Sequence, residues 1–172
     1  MKWIDELLKD PVGASLIDTQ SRNVRFTISP SEFKRADIMP RLNWQSVEFT
    51  KSSKSMIPME PGLYAFVVRI PFDGLPPHGW VMYIGQTGGG KSGATLQSRF
   101  GEYLANKKKP KNRPKVYYML NAWDGSLAFY FAPEINRKER LEELETQLLG
   151  AFRPPFTDRT YPASYMSPGN AF

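Results

Sequence analysis

Apolar residues in the second half of the chain fall into three short runs that have the composition of β-strands. The first two, Gly62 to Ile70 and Trp80 to Ile84, are rich in β-branched and aromatic residues and flank a loop of prolines and glycines, Phe72 to Gly79. This arrangement predicts an antiparallel hairpin. Ser126 to Ala132 predicts a third strand.

Side chains alternate between the two faces of a strand, and this alternation predicts how the hairpin is arranged. In the first strand Tyr64 shares a face with Phe66, and in the second Val81 is expected to share a face with Tyr83. Tyr64 and Tyr83 point to the same side in one of the registers open to the hairpin. The sequence does not fix that register.

Apolar residues at helical spacing predict two helices further along the chain. Thr95 to Lys107 carries an apolar stripe that includes Tyr103, and Ile135 to Phe152 carries a longer one that must end before Pro154. Val116 to Trp123 is compatible with a short helix or a strand. The second half therefore mixes helices with antiparallel strands, an α+β pattern.

The first third of the chain has a different character. A short amphipathic helix is expected to end at Pro11, and Val24 to Ile28 and Gln45 to Thr50 predict strands. No chemical motif occurs in this segment, which is either a brace for the second half or an arm that contacts DNA. The chain is expected to divide into an N-terminal extension (1–58), a functional domain (59–158) and an irregular tail (159–172).

Composition excludes several classes of site. The 172 residues include no cysteine, so disulfides and cysteine-ligated metals are excluded, and the single histidine, His78, makes a histidine-ligated zinc site unfavourable. With no apolar run near the roughly 18 residues that span a bilayer and no signal peptide, we expect a cytoplasmic protein and no membrane partner. The net charge of +6 suits a polyanionic partner.

Two charged residues occupy helix positions where apolar residues are usual. Glu145 lies beside Leu144 and Leu148 on the inward stripe of the last predicted helix, whereas a surface glutamate would lie on its outer face. An unpaired buried carboxylate costs several kcal/mol, so Glu145 should either form a salt bridge with an arginine or hold a metal ion. Arg99 similarly shares a face with Tyr103 on the earlier helix.

These residues, in their order along the chain, resemble the GIY-YIG nuclease superfamily. The matching motifs are Gly62-Leu63-Tyr64, Tyr83-Ile84-Gly85, the helix with Arg99 and Tyr103, Glu145, and the segment Arg153 to Thr157. The resemblance covers roughly residues 60 to 158. The chain departs from the family at Thr157, where asparagine is usual, and in a longer glycine-rich connector before Arg99.

The resemblance implies a small three-stranded antiparallel sheet flanked by helices and a metal-dependent endonuclease, as in restriction and phage enzymes. One Mg²⁺ or Mn²⁺ would be held by Glu145 and water molecules, and Arg99 would stabilise the non-bridging phosphate oxygens. Tyr64 would take the proton from the attacking water and Tyr83 would orient it. Which tyrosine is the base stays open, with Lys91 as a third candidate.

A basic loop between the second strand and the last helix fits a DNA partner. Its cations would contact phosphates and add affinity that depends on salt but not on base sequence. With Lys91, the candidates are Lys107, Lys108, Lys109, Lys111, Arg113 and Lys115. A single active site cuts one strand, so double-strand cleavage would need a homodimer or two sequential nicks.

Two other interpretations stay open. Gly85 to Ser92 matches the P-loop pattern of nucleotide-binding proteins, but too little chain follows it for the parallel strands such a fold needs. The second interpretation is a nuclease-derived module that binds DNA without cutting it. The threonine at position 157, where the family usually has asparagine, is the sequence feature that supports it.

Overall fold

The computed structural model describes residues 2–9, 11–20, 24, 26, 30–36, 41–69, 78–89, 92–109, 113–136 and 140–157. Several sequence predictions lie outside these ranges in whole or in part. They are most of the strand Val24 to Ile28, most of the loop Phe72 to Gly79, the residues Lys91 and Lys111, and the tail 159–172.

The described residues contain one antiparallel sheet of four strands, so the expectation of three was wrong. The strands are β1 (Gln45–Glu48), β2 (Gly62–Arg69), β3 (Gly79–Thr87) and β4 (Leu127–Pro133), in the order β1-β4-β2-β3. The additional strand, β1, belongs to the first third of the chain and pairs with the outer edge of β4, where it satisfies backbone groups that would otherwise be exposed. The expectation failed because the family resemblance begins only near residue 60.

Six α-helices accompany the sheet in the described residues. They are α1 (Lys2–Leu7), α2 (Pro11–Gln20), α3 (Pro30–Ala36), α4 (Leu96–Asn106), α5 (Pro114–Ala122) and α6 (Leu141–Phe152). The ambiguous segment 116–123 is helical, because Pro114 opens it at the first helical position, where proline is favoured. The last helix begins at Leu141 and not at Ile135. Within the described residues no helix has both the length and the apolar character to cross a membrane.

The sheet separates two apolar clusters. One face carries the larger cluster, in which Phe66 and Phe129 pack against Phe100 of α4 and residues of α5. On the other face Val67 and neighbouring apolar residues pack against Leu149 of α6. Helices therefore cover both faces, and side chains from α4, α5 and α6 approach the sheet from opposite sides.

A bulge in β3 changes which side chains share a face. Phe66 pairs with Tyr83, but the next residue of β2, Val67, pairs with Val81, so Met82 is an extra residue. Tyr83 lies in the larger cluster, whereas Val81 packs on the opposite face, so the expectation that they share a face was wrong. The regular alternation of side chains between the two faces is broken at Met82, because an inserted residue shifts the two-residue period by one position.

Candidate functional site

The two signature tyrosines lie side by side on one face of the hairpin. Their ring centroids are 6.2 Å apart and the ring planes differ by 19°. Tyr64 comes from β2 and Tyr83 from β3, next to the bulge at Met82. The register therefore places both hydroxyl groups on the same side of the sheet.

The glycines of both motifs are required by close packing. A Cβ at Gly85 would lie 2.4 Å from the hydroxyl oxygen of Tyr64, because the tyrosine ring lies directly over this backbone. A Cβ at Gly62 would lie 2.3 Å from the carbonyl oxygen of Ala132 in β4. Both distances are too short for any side chain, so these positions fix the place of Tyr64 in the sheet.

Tyr103 supports Tyr64 from α4. The two hydroxyl oxygens are 3.0 Å apart and form a buried hydrogen bond. Burial raises the pKa of Tyr64 well above its usual value, the neighbouring Tyr103 and Tyr83 raise it further, and Arg99 partly offsets the effect. Burial also raises the pKa of Tyr103, and the Arg113 guanidinium partly offsets this rise.

Helix α4 is well fixed at the end that approaches the site. Thr95 caps it, accepting a hydrogen bond from the Ser98 amide while Ser98 bonds back to the Thr95 amide. Arg99 follows in the first turn and is paired with Glu102 at 2.6 Å. Its Nε is buried and, among the described residues, makes no hydrogen bond. Arg99 is half-buried and contributes to the lining of the cavity described below.

Glu145 comes from the middle of α6 and is only 6% exposed. Glu142 and Glu143 on the same helix are exposed, as the sequence predicted. After α6 the chain turns at Arg153, whose φ of 42° is left-handed, and continues to Thr157. The Thr157 hydroxyl is buried and has no hydrogen-bond partner among the described residues.

Arg113 reaches the site from the residue that precedes α5. Its Nη2 donates a 3.1 Å hydrogen bond to the Tyr83 hydroxyl, and its Nη1 donates a 3.4 Å bond to the Tyr103 hydroxyl. The guanidinium carbon lies 5.6 Å and 5.8 Å from the two ring centroids, within cation–π range. Arg113 therefore holds two tyrosine hydroxyl groups at once.

These side chains surround one cavity of about 280 Å³. Its lining residues are Tyr64, Tyr83, Ile84, Gln86, Arg99, Arg113, Glu145 and Thr157. Five of the six residues predicted as catalytic thus meet at one place, and the sixth, Tyr103, lies behind Tyr64. The sequence predicted Arg113 as part of a phosphate-contacting loop. Ile84 was named only within the motif Tyr83-Ile84-Gly85 and Gln86 only within the P-loop match, and neither was given a role in the site.

Among the described residues, the other basic candidates do not line the cavity. Lys107 forms a 2.5 Å ion pair with Asp124, whereas Lys108, Lys109 and Lys115 are exposed. Lys91 and Lys111 lie outside the described residues.

Glu145 is the cavity's carboxylate. In the part of the chain that the structure describes, no group of three or more histidine, cysteine, aspartate or glutamate side chains could enclose a metal ion. Mg²⁺ is often held by one or two carboxylates together with water and substrate phosphates, so a single buried carboxylate in a polar cavity fits that ion. It does not fit a structural zinc site, which takes four protein ligands.

The P-loop interpretation agrees poorly with the fold. Gly85 to Thr87 belong to β3, and every strand pair in the described sheet is antiparallel. A P-loop nucleotide site instead follows a strand of a parallel βαβ unit. In addition, the amide of Gly89 is bonded at 3.2 Å to the side chain of Gln86.

Comparison with protein-family models, curated proteins and solved structures found no match to this chain.

Proposed function

We propose that this protein is a divalent-metal-dependent endonuclease that hydrolyses DNA phosphodiester bonds, in the manner of the GIY-YIG nucleases that its motifs resemble. The observation that carries the proposal is the meeting of Tyr64, Tyr83, Arg99 and Glu145 in one cavity. They come from two strands and two helices, so residues far apart along the chain supply the phenols, the guanidinium and the carboxylate of one cavity. Phosphodiester hydrolysis uses this set of groups: a base, a cation and a metal-binding carboxylate.

The reaction adds water across one P–O bond. The oxygen of the attacking water bonds to phosphorus, its proton passes to the oxygen of a tyrosine that has already released its own proton to solvent, and the bond from phosphorus to the 3′ oxygen breaks. The leaving oxygen then takes a proton from solvent. The products are a 5′-phosphate and a 3′-hydroxyl.

Arg99 is suited to stabilise the charge that develops on the non-bridging oxygens. Its guanidinium lines the cavity, and its buried Nε is a donor that forms no hydrogen bond within the described residues. Preorganised donors of this kind are worth about 100- to 1,000-fold in kcat. Glu145 would hold Mg²⁺ or Mn²⁺, which supplies stabilisation of charge on the leaving oxygen when bound.

DNA binding is supported by the charge of the chain and by the exposed lysines. Lys108 and Lys109 follow the end of α4, and Lys115 lies in the first turn of α5. Arg99 lies on α4, and Arg113 immediately precedes α5. A backbone held there would lie beside the cavity, and its affinity would fall as salt rises.

A DNA-binding module without catalysis is the second candidate. The observation that favours it is Thr157, which occupies the position of the family's usual asparagine and whose hydroxyl makes no hydrogen bond within the described residues. A threonine hydroxyl is shorter than an asparagine side chain, so the substrate or a water molecule on the metal would lack a hydrogen-bond partner at this position.

The test is incubation of supercoiled plasmid and of branched DNA with the protein and Mg²⁺, Mn²⁺ or EDTA. We expect cutting with either metal, none with EDTA, and ends that carry a 5′-phosphate and a 3′-hydroxyl. DNA that is bound but never cut would favour the binding module. Cutting that persists in EDTA would overturn the proposal.

A further inference from the structure

We propose that an apolar groove beside the cavity binds one unpaired nucleobase of the DNA substrate. The groove would serve the proposed nuclease function, on which this inference rests, by holding a nucleotide next to the phosphate that is cut. Its volume is about 380 Å³, within the range of small-ligand sites. Ala65 and Val67 of β2 line it, so it lies on the face of the sheet opposite the larger cluster that contains Tyr64.

The groove and the cavity adjoin each other. Ile84 of β3 lines both of them. On α6, Glu145 lines the cavity, whereas Leu148 and Phe152, which follow it on the same helix, line the groove. Because an α-helix rises 1.5 Å per residue, Phe152 lies roughly 10 Å along the helix from Glu145. A nucleotide attached to a phosphate in the cavity can therefore reach the groove.

The accessible part of the groove is aromatic. Trp44, which immediately precedes β1, is 36% exposed, and Tyr130 and Phe152 are half-buried. Nucleobases stack on such rings, and stacking tolerates any base because every base has a π-face. The other lining residues are apolar or glycine, so they offer no hydrogen bonds that would select one base. We therefore expect the groove to accept a base without reading its identity.

Arg69 places a positive charge at the end of the groove. It pairs with Gly79, which lines the groove, across β2 and β3. Its Nε donates a 2.9 Å hydrogen bond to the Tyr130 hydroxyl, its Nη2 donates a 2.8 Å hydrogen bond to Ser46, and its guanidinium carbon lies 4.7 Å from the centroid of the Tyr130 ring. Arg69 is exposed, so a phosphate can approach it. An aromatic groove with a cation at one end is complementary to a nucleotide, which joins a flat base to an anionic phosphate.

The occupant is expected to be an unpaired base because a paired one is held within the duplex. Drawing a base out of the stack costs a few kcal/mol, and the cost is lowest where the base has no partner. A groove that holds a single base therefore favours DNA in which an unpaired nucleotide lies beside the cut.

The test measures binding, in EDTA, of two duplexes that differ by one unpaired 2-aminopurine nucleotide. We expect the wild-type protein to bind the duplex with the unpaired nucleotide about 5- to 140-fold more tightly, the equilibrium equivalent of one base–aromatic stack. The fluorescence of the 2-aminopurine should be quenched as it stacks in the groove.

Two variants remove rings from the groove and keep an apolar side chain there. Trp44→Leu and Phe152→Leu should each lose at least about 5-fold of the preference. Their unchanged affinity for the fully paired duplex would show that the fold is intact. Phe26→Leu is the matched control, because Phe26 is a similarly exposed aromatic that packs on Trp80 beside the larger cluster, on the opposite face. It should keep the full preference.

The outcomes separate this assignment from the nuclease proposal. A preference that depends on Trp44, in a protein that cuts no DNA in Mg²⁺, would refute the nuclease and leave the base-binding groove standing. Equal binding of the two duplexes by a protein that does cut DNA would overturn the groove assignment alone, and so would a preference that both groove variants retain. Self-association of the wild-type protein that Trp44→Leu abolishes in sedimentation would show that a second copy occupies the groove, and would also overturn the assignment.

Discussion

The amide of Phe156 donates a 3.1 Å hydrogen bond to the carbonyl oxygen of Met82. Met82 is the extra residue of the β3 bulge, and Phe156 immediately precedes Thr157. The bulge thus attaches the segment after α6 to the strand that carries Tyr83. One irregularity in the sheet both places Tyr83 on the face of Tyr64 and holds Thr157 at the cavity.

Thr157→Val tests whether the threonine hydroxyl serves the site or the fold. The hydroxyl is buried without a hydrogen-bond partner among the described residues, which is unfavourable by about 1–3 kcal/mol. The nearly isosteric valine should therefore leave the free energy of unfolding equal or raise it by about 1 kcal/mol, while DNA cleavage falls. Urea unfolding and single-turnover cleavage measure the two effects. A loss of stability would show that the hydroxyl has a structural role.

Gly85→Ala tests the close contact under Tyr64. The added Cβ would lie 2.4 Å from the tyrosine hydroxyl, so the ring must move, and we expect a loss of about 1–3 kcal/mol in the free energy of unfolding. Cleavage should fall as well, since the ring supports Tyr83. Gly93→Ala is the control, because nothing lies within 4 Å of a Cβ there. Equal behaviour of the two variants would contradict the packing argument.

Arg99→Gln removes the cation assigned to the non-bridging oxygens. We expect kcat to fall about 100-fold or more, because a donor that acts in the transition state is lost. Binding of uncut DNA in EDTA should change far less, since the exposed lysines supply most of that affinity. Should the variant lose binding and keep its cleavage rate, Arg99 would be a phosphate clamp and not a catalytic residue.

The buried tyrosines predict a loss of stability in alkali. Burial raises the pKa of Tyr64 and of Tyr103 above the usual value near 10, so the folded protein keeps protons that the unfolded chain releases above that pH. The free energy of unfolding that these protonated tyrosines contribute is fully present below about pH 10. Above that pH it falls by about 1.4 kcal/mol per pH unit for each such tyrosine. In urea unfolding between about pH 9 and pH 11, Tyr103→Phe should show a smaller slope. Identical slopes would contradict the assigned shift.

Much of the site could be predicted because its residues violate ordinary patterns. A carboxylate at the position of Glu145 and an arginine at the position of Arg99 interrupt apolar stripes. Helical spacing predicted that Arg99 and Tyr103 share a face, and both lie on α4, four residues apart.

The features that sequence reasoning missed depend on long-range contacts. The bulge at Met82 is stabilised by a partner more than 70 residues away, Phe156, and leaves no local signal. Strand β1 lies within the predicted strand Gln45 to Thr50, but its pairing with β4 was not predicted, because the unpaired edge of β4 leaves no signal in the sequence around Val47. Arg113 was grouped with the lysines around it, since a basic run does not reveal which member turns inward.

The claim that the cavity hydrolyses DNA is tested most directly by comparing how fast two single variants, Glu145→Gln and Glu142→Gln, nick supercoiled plasmid. Both substitutions remove one carboxylate from α6, but Glu145 lies in the cavity and Glu142 is exposed. At equal protein concentration in Mg²⁺, with matching unfolding curves, we predict that Glu142→Gln nicks as the wild type does and that Glu145→Gln loses at least about 100-fold in rate. Equal nicking by the two variants would contradict hydrolysis at this cavity.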